Sequence, residues 1–318
     1  MWSDNVYNKI IKKIRVDGDW INQNLVEHGI QKNHNKVKIR MYSIKFSGNQ
    51  QDYAGLIKAL VGKLPSFVLS NKEIRKYKKE KEDYQPFIEA MKFFGDVDPE
   101  QDGKYGEFIL FLMVEAILKC PMIAHKIILY NPKDQVKGSD GLFVGKYDSF
   151  QALLIGEAKI ESSTKKPITN AFKSVSKFYV NGQANLGLSH ELIVAKKDIS
   201  EDFSGEELDY LYDLLNPQSK EYKKTIKVHP ILIVYNDKRI KDIEKEAKDN
   251  TEAESKLKES IPLIVKELEQ DINSEITKNN GTLKKVYLDF FFIPTSDVAK
   301  LRHDFYKEIH GVPYKRVV

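Results

Sequence analysis

Apolar positions along this chain recur at two spacings, and the change from one to the other marks its elements. Val37, Ile39 and Met41 alternate with Lys38, Arg40 and Tyr42, which predicts a strand over 37–46 that ends at Gly48-Asn49. Asp52 then stands where a helix cap belongs, ahead of a helix expected over 53–61 and closed by Gly62. Residues 72–82 hold six basic and three acidic side chains, the pattern of a solvated helix or arm. An amphipathic helix is expected over 84–94, ended by Gly95. The first 34 residues are polar and only weakly periodic.

Residues 96–103 form an acidic, proline-containing loop. They suggest a division into an N-terminal α+β region, 1–95, that contacts a partner or DNA, and a second unit, 96–318. A strong helix is predicted over 105–119, stopped by Pro121. Three short apolar runs follow, 123–130, 141–147 and 151–160, separated by Asn131-Pro132, Gly138 and Asp148-Ser149. They read as consecutive strands of a hairpin-rich sheet. A helix over 166–180 comes next, then a short strand at 191–194 and an acidic stretch at 198–213. A buried strand at 227–235 precedes a long charged helical stretch, 240–276, interrupted at Pro262. A strand over 285–294 and a final helix capped by Ser296 and running to 309 complete the order. That order predicts an α/β fold with a mixed sheet.

Composition narrows the class. The 318 residues are 41% hydrophobic and 31% charged, as in folded globular domains. The lone cysteine, Cys120, excludes a disulfide scaffold, fits a reducing compartment and reads as a core residue. Residues 1–18 lack the apolar core of a signal peptide, and no apolar run reaches the roughly 18 residues of a membrane span. A cytoplasmic protein without a membrane partner is expected. The net charge of +5 implies no nucleic acid by itself, but the first 160 residues hold 25 bases against 20 acids and the remainder 26 of each. The seven histidines show no ligand spacing, and no phosphate-binding Gly-rich loop is present.

One constellation carries chemistry. Ser139-Asp140-Gly141 opens one predicted strand and Gly156-Glu157-Ala158-Lys159 ends the next. Alternate side chains of a strand share a face, so Glu157 and Lys159 point one way and Ala158 the other. A hairpin through Asp148-Ser149 brings Asp140 and Glu157 to the same open end. Glu107, in the first turn of the preceding helix, is a candidate third carboxylate. Taken singly, Asp-Gly is a common turn, Glu-x-Lys a surface ion pair and Glu107 a dipole-favoured acid. Together, an acid and an amine that end the apolar run Leu153-Leu154-Ile155 are costly unless paired or bound to a metal. Two carboxylates suit Mg²⁺, with Mn²⁺ as a substitute, and metal-assisted phosphodiester hydrolysis, with the lysine beside them stabilising charge.

The succession of Glu107 on a helix, Asp140 and Glu157-x-Lys159 on strands, then the helix over 166–180, resembles the PD-(D/E)xK nuclease core. That resemblance implies a restriction-endonuclease-like αβββαβ unit. It implies metal ligands at Asp140 and Glu157, a catalytic lysine at Lys159 and an auxiliary acid at Glu107. Ser139 stands where the superfamily commonly has proline. Ser176 and Lys177 are further candidates for contact with DNA or the site. More narrowly, Gly106-Glu107-Phe108, Val136-Lys137-Gly138-Ser139-Asp140-Gly141 and Leu154-Ile155-Gly156-Glu157-Ala158-Lys159 resemble the HamA family, the nuclease subunits of Hachiman anti-phage defence. This implies a metal-dependent DNA endonuclease held in check by a helicase-like HamB-type partner. Two other functions fit the same residues: a catalytically silent module that regulates a helicase, and a stand-alone restriction-like nuclease.

Overall fold

Apolar strands and flanking helices assemble around one eight-stranded mixed sheet in the computed structural model, which describes residues 4–33, 36–124, 139–180, 183–184, 186–197, 199–279 and 282–315. Its strands are β1 (Leu25–Asn33), β2 (Val37–Ile44), β3 (Met122–Ala124), β4 (Leu142–Tyr147), β5 (Phe150–Ile155), β6 (Glu157–Glu161), β7 (Ile226–Asn236) and β8 (Tyr287–Thr295). The order across the sheet is β1-β2-β8-β7-β5-β4-β3, with β6 continuing along β7 beyond the end of β5. The pairs of β1 with β2, β5 with β4 and β4 with β3 are antiparallel. β7 pairs in parallel with β5, β6 and β8, and β8 with β2. The N-terminal strands therefore extend the same sheet that carries Glu157.

The principal helices are α1 (Tyr53–Val61), α2 (Asn71–Glu80), α3 (Gln85–Phe94), α4 (Lys104–Met113), α5 (Lys165–Ser176), α6 (Lys238–Glu246), α7 (Asn250–Lys278) and α8 (Val298–His310). They cover both faces of the sheet, which is why its central strands are continuously apolar. Ile231, Ile233, Phe290 and Phe292 face one core, built with Phe172 of α5 and Leu257, Ile264 and Leu268 of α7. Leu232, Val234 and Phe291 face the other, built with Phe108 of α4 and Leu301 and Phe305 of α8. Cys120 is fully buried, and burial pushes its thiol up to about 12. Among the described residues, no helix is long and apolar enough to cross a membrane.

A buried ion pair ties the N-terminal strands to the centre. Arg40 of β2 donates Nε and Nη2 to the Asp289 carboxylate at 2.7 and 3.0 Å, and the Tyr147 hydroxyl donates to the same carboxylate at 2.8 Å. Asp289 is fully buried, so these donors replace its water.

Helix α1 has the expected bounds, with Asp52 accepting from the Gly55 amide at 2.9 Å. Several expectations shift. The strand expected at 191–194 is instead part of a helix, Leu186–Lys197, because Leu188, Leu192 and Ala195 bury one helical face. The long charged stretch breaks at residues 247–249, where α6 gives way to the Asp249 cap of α7. Pro262 sits inside the unbroken α7. The last helix is capped by Asp297, whose carboxylate accepts from the Lys300 amide, rather than by Ser296. The weakly periodic N-terminus folds as helices Asp4–Ile11 and Asp19–Asn24 followed by β1. Of the strand expected at 123–130, the part after Ala124 lies outside the described residues.

Candidate functional site

The run expected as one strand over 151–160 is interrupted at Gly156, between β5 and β6. The register explains the break. Val228 of β7 lies opposite Leu154 and Ile231 opposite Glu157, which leaves Pro230 beside Gly156 without an amide to donate. Gly156 turns to the other neighbour instead. Its amide donates to the Gly141 carbonyl, and the Asp140 amide donates to the Gly156 carbonyl, both at 2.9 Å. This carries the β4–β5 ladder one step past Leu142 and Ile155, where β4 begins and β5 ends. The hairpin turns at Asp148 and Ser149, both at positive φ as a tight two-residue turn requires.

Beyond that step, no strand among the described residues pairs with the outer edge of β6. Asp140 takes the place of one: its Oδ2 accepts from the Ala158 amide at 2.8 Å. Farther along, Arg302 of α8 donates Nη2 to the Ile160 carbonyl at 2.7 Å and Nη1 to the carbonyls of Pro99 and Glu100. Two glycines are needed for this approach. Gly141 has φ near +149°, and a Cβ there would lie 3.1 Å from the Phe143 ring. A Cβ on Gly156 would come within 2.8 Å of Leu110 Cδ2 and 3.3 Å of the Gly141 carbonyl oxygen.

Asp140 and Glu157 thus share the end of the hairpin, at 9% and 6% exposure. Lys159 forms an ion pair with Glu157 on the same face of β6. Burial drives the Glu157 carboxyl up to about 7, with the Asp140 charge adding to the rise, while Lys159 and a hydrogen bond from Ser174 oppose it.

Ala158 projects to the opposite face, against α4: a Cβ on Gly106 would sit 3.2 Å from Ala158 Cβ. Glu107 is half-buried in the first turn of that helix. The structure therefore brings Asp140, Glu157 and Lys159 together and carries Glu107 on the helix covering the other face of β6. Among the described residues no group of three or more His, Cys, Asp or Glu is arranged to hold a metal ion. Val136, Lys137 and Gly138 lie outside the described residues.

Sequence reasoning passed over the stripe that faces Glu157. Lys166, Asn170 and Ser174 recur every four residues on α5 and so share a face. They lie along Glu161, Lys159 and Glu157, which recur every two residues on β6. Asn170 Nδ2 donates to Glu161 Oε1 at 2.9 Å, Lys166 pairs with Glu161 at 3.6 Å, and Ser174 reaches Glu157. The two matching polar periods were the available signal. Ser176 turns back onto its own helix, donating to the Lys173 carbonyl at 3.1 Å, and Lys177 is exposed at the helix end. His229 of β7, two residues before Ile231, is fully buried, and Tyr179 Oη lies 2.6 Å from its Nε2. Burial holds this imidazole down to about 3 and therefore neutral.

A family model described as HamA matches residues 19–309. No curated protein matches the chain.

Proposed function

Because the chain belongs to the HamA family and is a component of Hachiman anti-phage defence, we propose that it is a metal-dependent DNA endonuclease whose activity a helicase-like partner controls. The observation that carries this reading is the convergence of Asp140 and Glu157 at the end of the hairpin, where Asp140 binds the edge of β6, with Lys159 beside them. A structural ion pair needs one carboxylate per cation. Here two buried carboxylates, one of them paired with Lys159, meet at the end of one hairpin and offer hard oxygen donors side by side.

Such a pair of carboxylates suits a divalent cation with a preference for hard oxygen donors. Asp140 and Glu157 would hold Mg²⁺ or Mn²⁺, and when bound the ion supplies polarisation of the phosphate and acidification of water. The chain's own residues do the rest. The Ala158 amide orients the Asp140 carboxylate through its second oxygen, Oδ2. Ser174 and Lys159 orient Glu157. Lys159, with its side chain 23% exposed, reaches solvent and is suited to positioning an attacking water and stabilising charge on the phosphate. The family resemblance would make Glu107 an auxiliary acid, although α4 covers the other face of β6.

The test is plasmid degradation in Mg²⁺ by wild type, Glu157→Ala and Lys159→Ala, alone and with a HamB-type helicase and ATP. Loss of cleavage in both variants, with their folds intact by circular dichroism, is the expected result. Folded variants that cut as well as wild type would refute the assignment. Phage protection that survives Glu157→Ala would favour a catalytically silent module instead.

A further inference from the structure

Helix α2 has no buried residue along its length. A ten-residue helix is marginal in isolation, and its stabilisation is concentrated at one end. Ser70 Oγ accepts from the Glu73 amide at 3.1 Å and Glu73 Oε2 from the Ser70 amide at 2.7 Å. From a distant loop, the Asp202 carboxylate accepts from the Asn71 and Lys72 amides at 3.0 and 3.2 Å. The helix is held at its N-terminus, and the remainder lies along the surface.

What it presents is cationic. Lys72 pairs with Glu201 in solvent, and Arg75 Nε donates to the Asn71 carbonyl. Among the described residues, Lys76, Lys78 and Lys79 have no carboxylate partner. Lys72 with Lys76, and Arg75 with Lys79, are like charges four residues apart, which cost helix stability unless anions lie against them. Tyr84, at the turn into α3, is 83% exposed. The anchor also belongs to the site's end of the sheet. In the Asp202 loop the Ser200 amide donates to the Ile123 carbonyl at 2.9 Å, and Ala124 pairs with Leu142, two residues after Asp140.

We propose that α2 binds the phosphate backbone of a nucleic-acid substrate and that Tyr84 stacks on an unpaired base where the duplex opens. The choice of substrate rests on the nuclease reading. Lys76 and Lys79, three residues apart on one face, can meet neighbouring phosphates with Lys78 flanking them, and the exposed ring of Tyr84, five residues past Lys79, suits a base.

The experiment is fluorescence anisotropy of the full chain with a labelled duplex bearing a single-stranded overhang, in EDTA, across a salt series. The charge-reversed variant Lys76→Glu, Lys78→Glu, Lys79→Glu should bind at least about tenfold more weakly, and its slope of log affinity against log salt should fall by about 2 to 3. Tyr84→Ala should weaken binding several-fold, roughly, with the slope unchanged, because stacking releases no counterions. A charge-reversed variant with wild-type affinity and slope, or a wild-type chain that does not bind the duplex, overturns the proposal. So does a variant that keeps DNA affinity but loses a co-purifying acidic protein, which would make α2 a protein contact. Normal cleavage by Glu157→Ala would sink the nuclease reading while leaving these binding results intact, so the two failures are distinguishable.

Discussion

If the chain is the nuclease proposed, replacing Glu157 with glutamine should stabilise the protein while abolishing cleavage of DNA. The amide keeps the shape of a protonated carboxyl and cannot ionise. In the folded chain Glu157 is buried beside Asp140, and its carboxyl is raised from 4.5 to about 7. The unfolded carboxyl loses its proton above about 4.5 and the folded one only above about 7. Folding therefore takes up a proton in that window, and the stability tied to Glu157 is lost as pH rises through it. At about 1.4 kcal/mol per tenfold change in ionisation, the ionised group opposes folding above pH 7 by on the order of 3 kcal/mol. Glu157→Gln should recover about 1 to 3 kcal/mol of this at pH 8 and almost none at pH 4.5. Urea unfolding followed by circular dichroism in EDTA at the two pH values measures the difference. Plasmid degradation in Mg²⁺ supplies the second axis. A purely structural Glu157–Lys159 pair predicts the opposite sign, since breaking it would cost stability. A variant equal to or less stable than wild type at pH 8 would refute the electrostatic account of the site.

Three further expectations rest on other parts of the fold. His229 is held near 3 against an ordinary value of 6.5, so the unfolded chain binds its proton first and the stability tied to His229 falls as pH drops below 6.5. At pH 5 that loss is about 2 kcal/mol, and His229→Phe should remove it, read as a flatter dependence of the urea midpoint on pH between 5 and 7. Arg40→Ala leaves the buried Asp289 carboxylate with the Tyr147 hydroxyl alone, and should cost about 3 to 5 kcal/mol in urea unfolding; a loss below about 1 kcal/mol would mean that the pair does not hold β2 to β8. Gly156→Ala puts a methyl group 2.8 Å from Leu110 and 3.3 Å from the Gly141 carbonyl oxygen. It should cost about 1 to 3 kcal/mol of thermal stability and depress cleavage by displacing Asp140 from the Ala158 amide.

Much of the site was legible because its chemistry is local. The apolar run that ends in Glu157-Ala158-Lys159 announces both a strand and an unusual place for charge. The turn at Asp148-Ser149 announces the hairpin that returns Asp140 to the same end. Ser174 was missed and Ser176 considered in its place, because helix phase against a facing strand cannot be read from either segment alone. Residues 191–194 are expected as a strand but lie within the helix Leu186–Lys197, since four apolar-rich positions fit either period when the burying surface is unknown. Acidic composition alone does not place the side chains of 198–213: Asp202 caps α2 and Glu207 pairs with Lys13 at 3.1 Å.

By itself the chain's order of residues determined the helix caps at Asp52 and Gly62, the strand periods, the neutral second half and the nuclease-like set Asp140, Glu157 and Lys159. These depend on side-chain spacing and backbone preference within a few residues. Tertiary structure decided which strands are neighbours. β6 lies along a strand that begins 65 residues after it ends, Arg40 meets Asp289 across the sheet, and α2 draws its cap from a loop some 130 residues away. Such partners are selected by burial and by the need to satisfy every backbone amide and carbonyl. They depend on where the folded chain brings its surfaces together, which no short window of sequence contains.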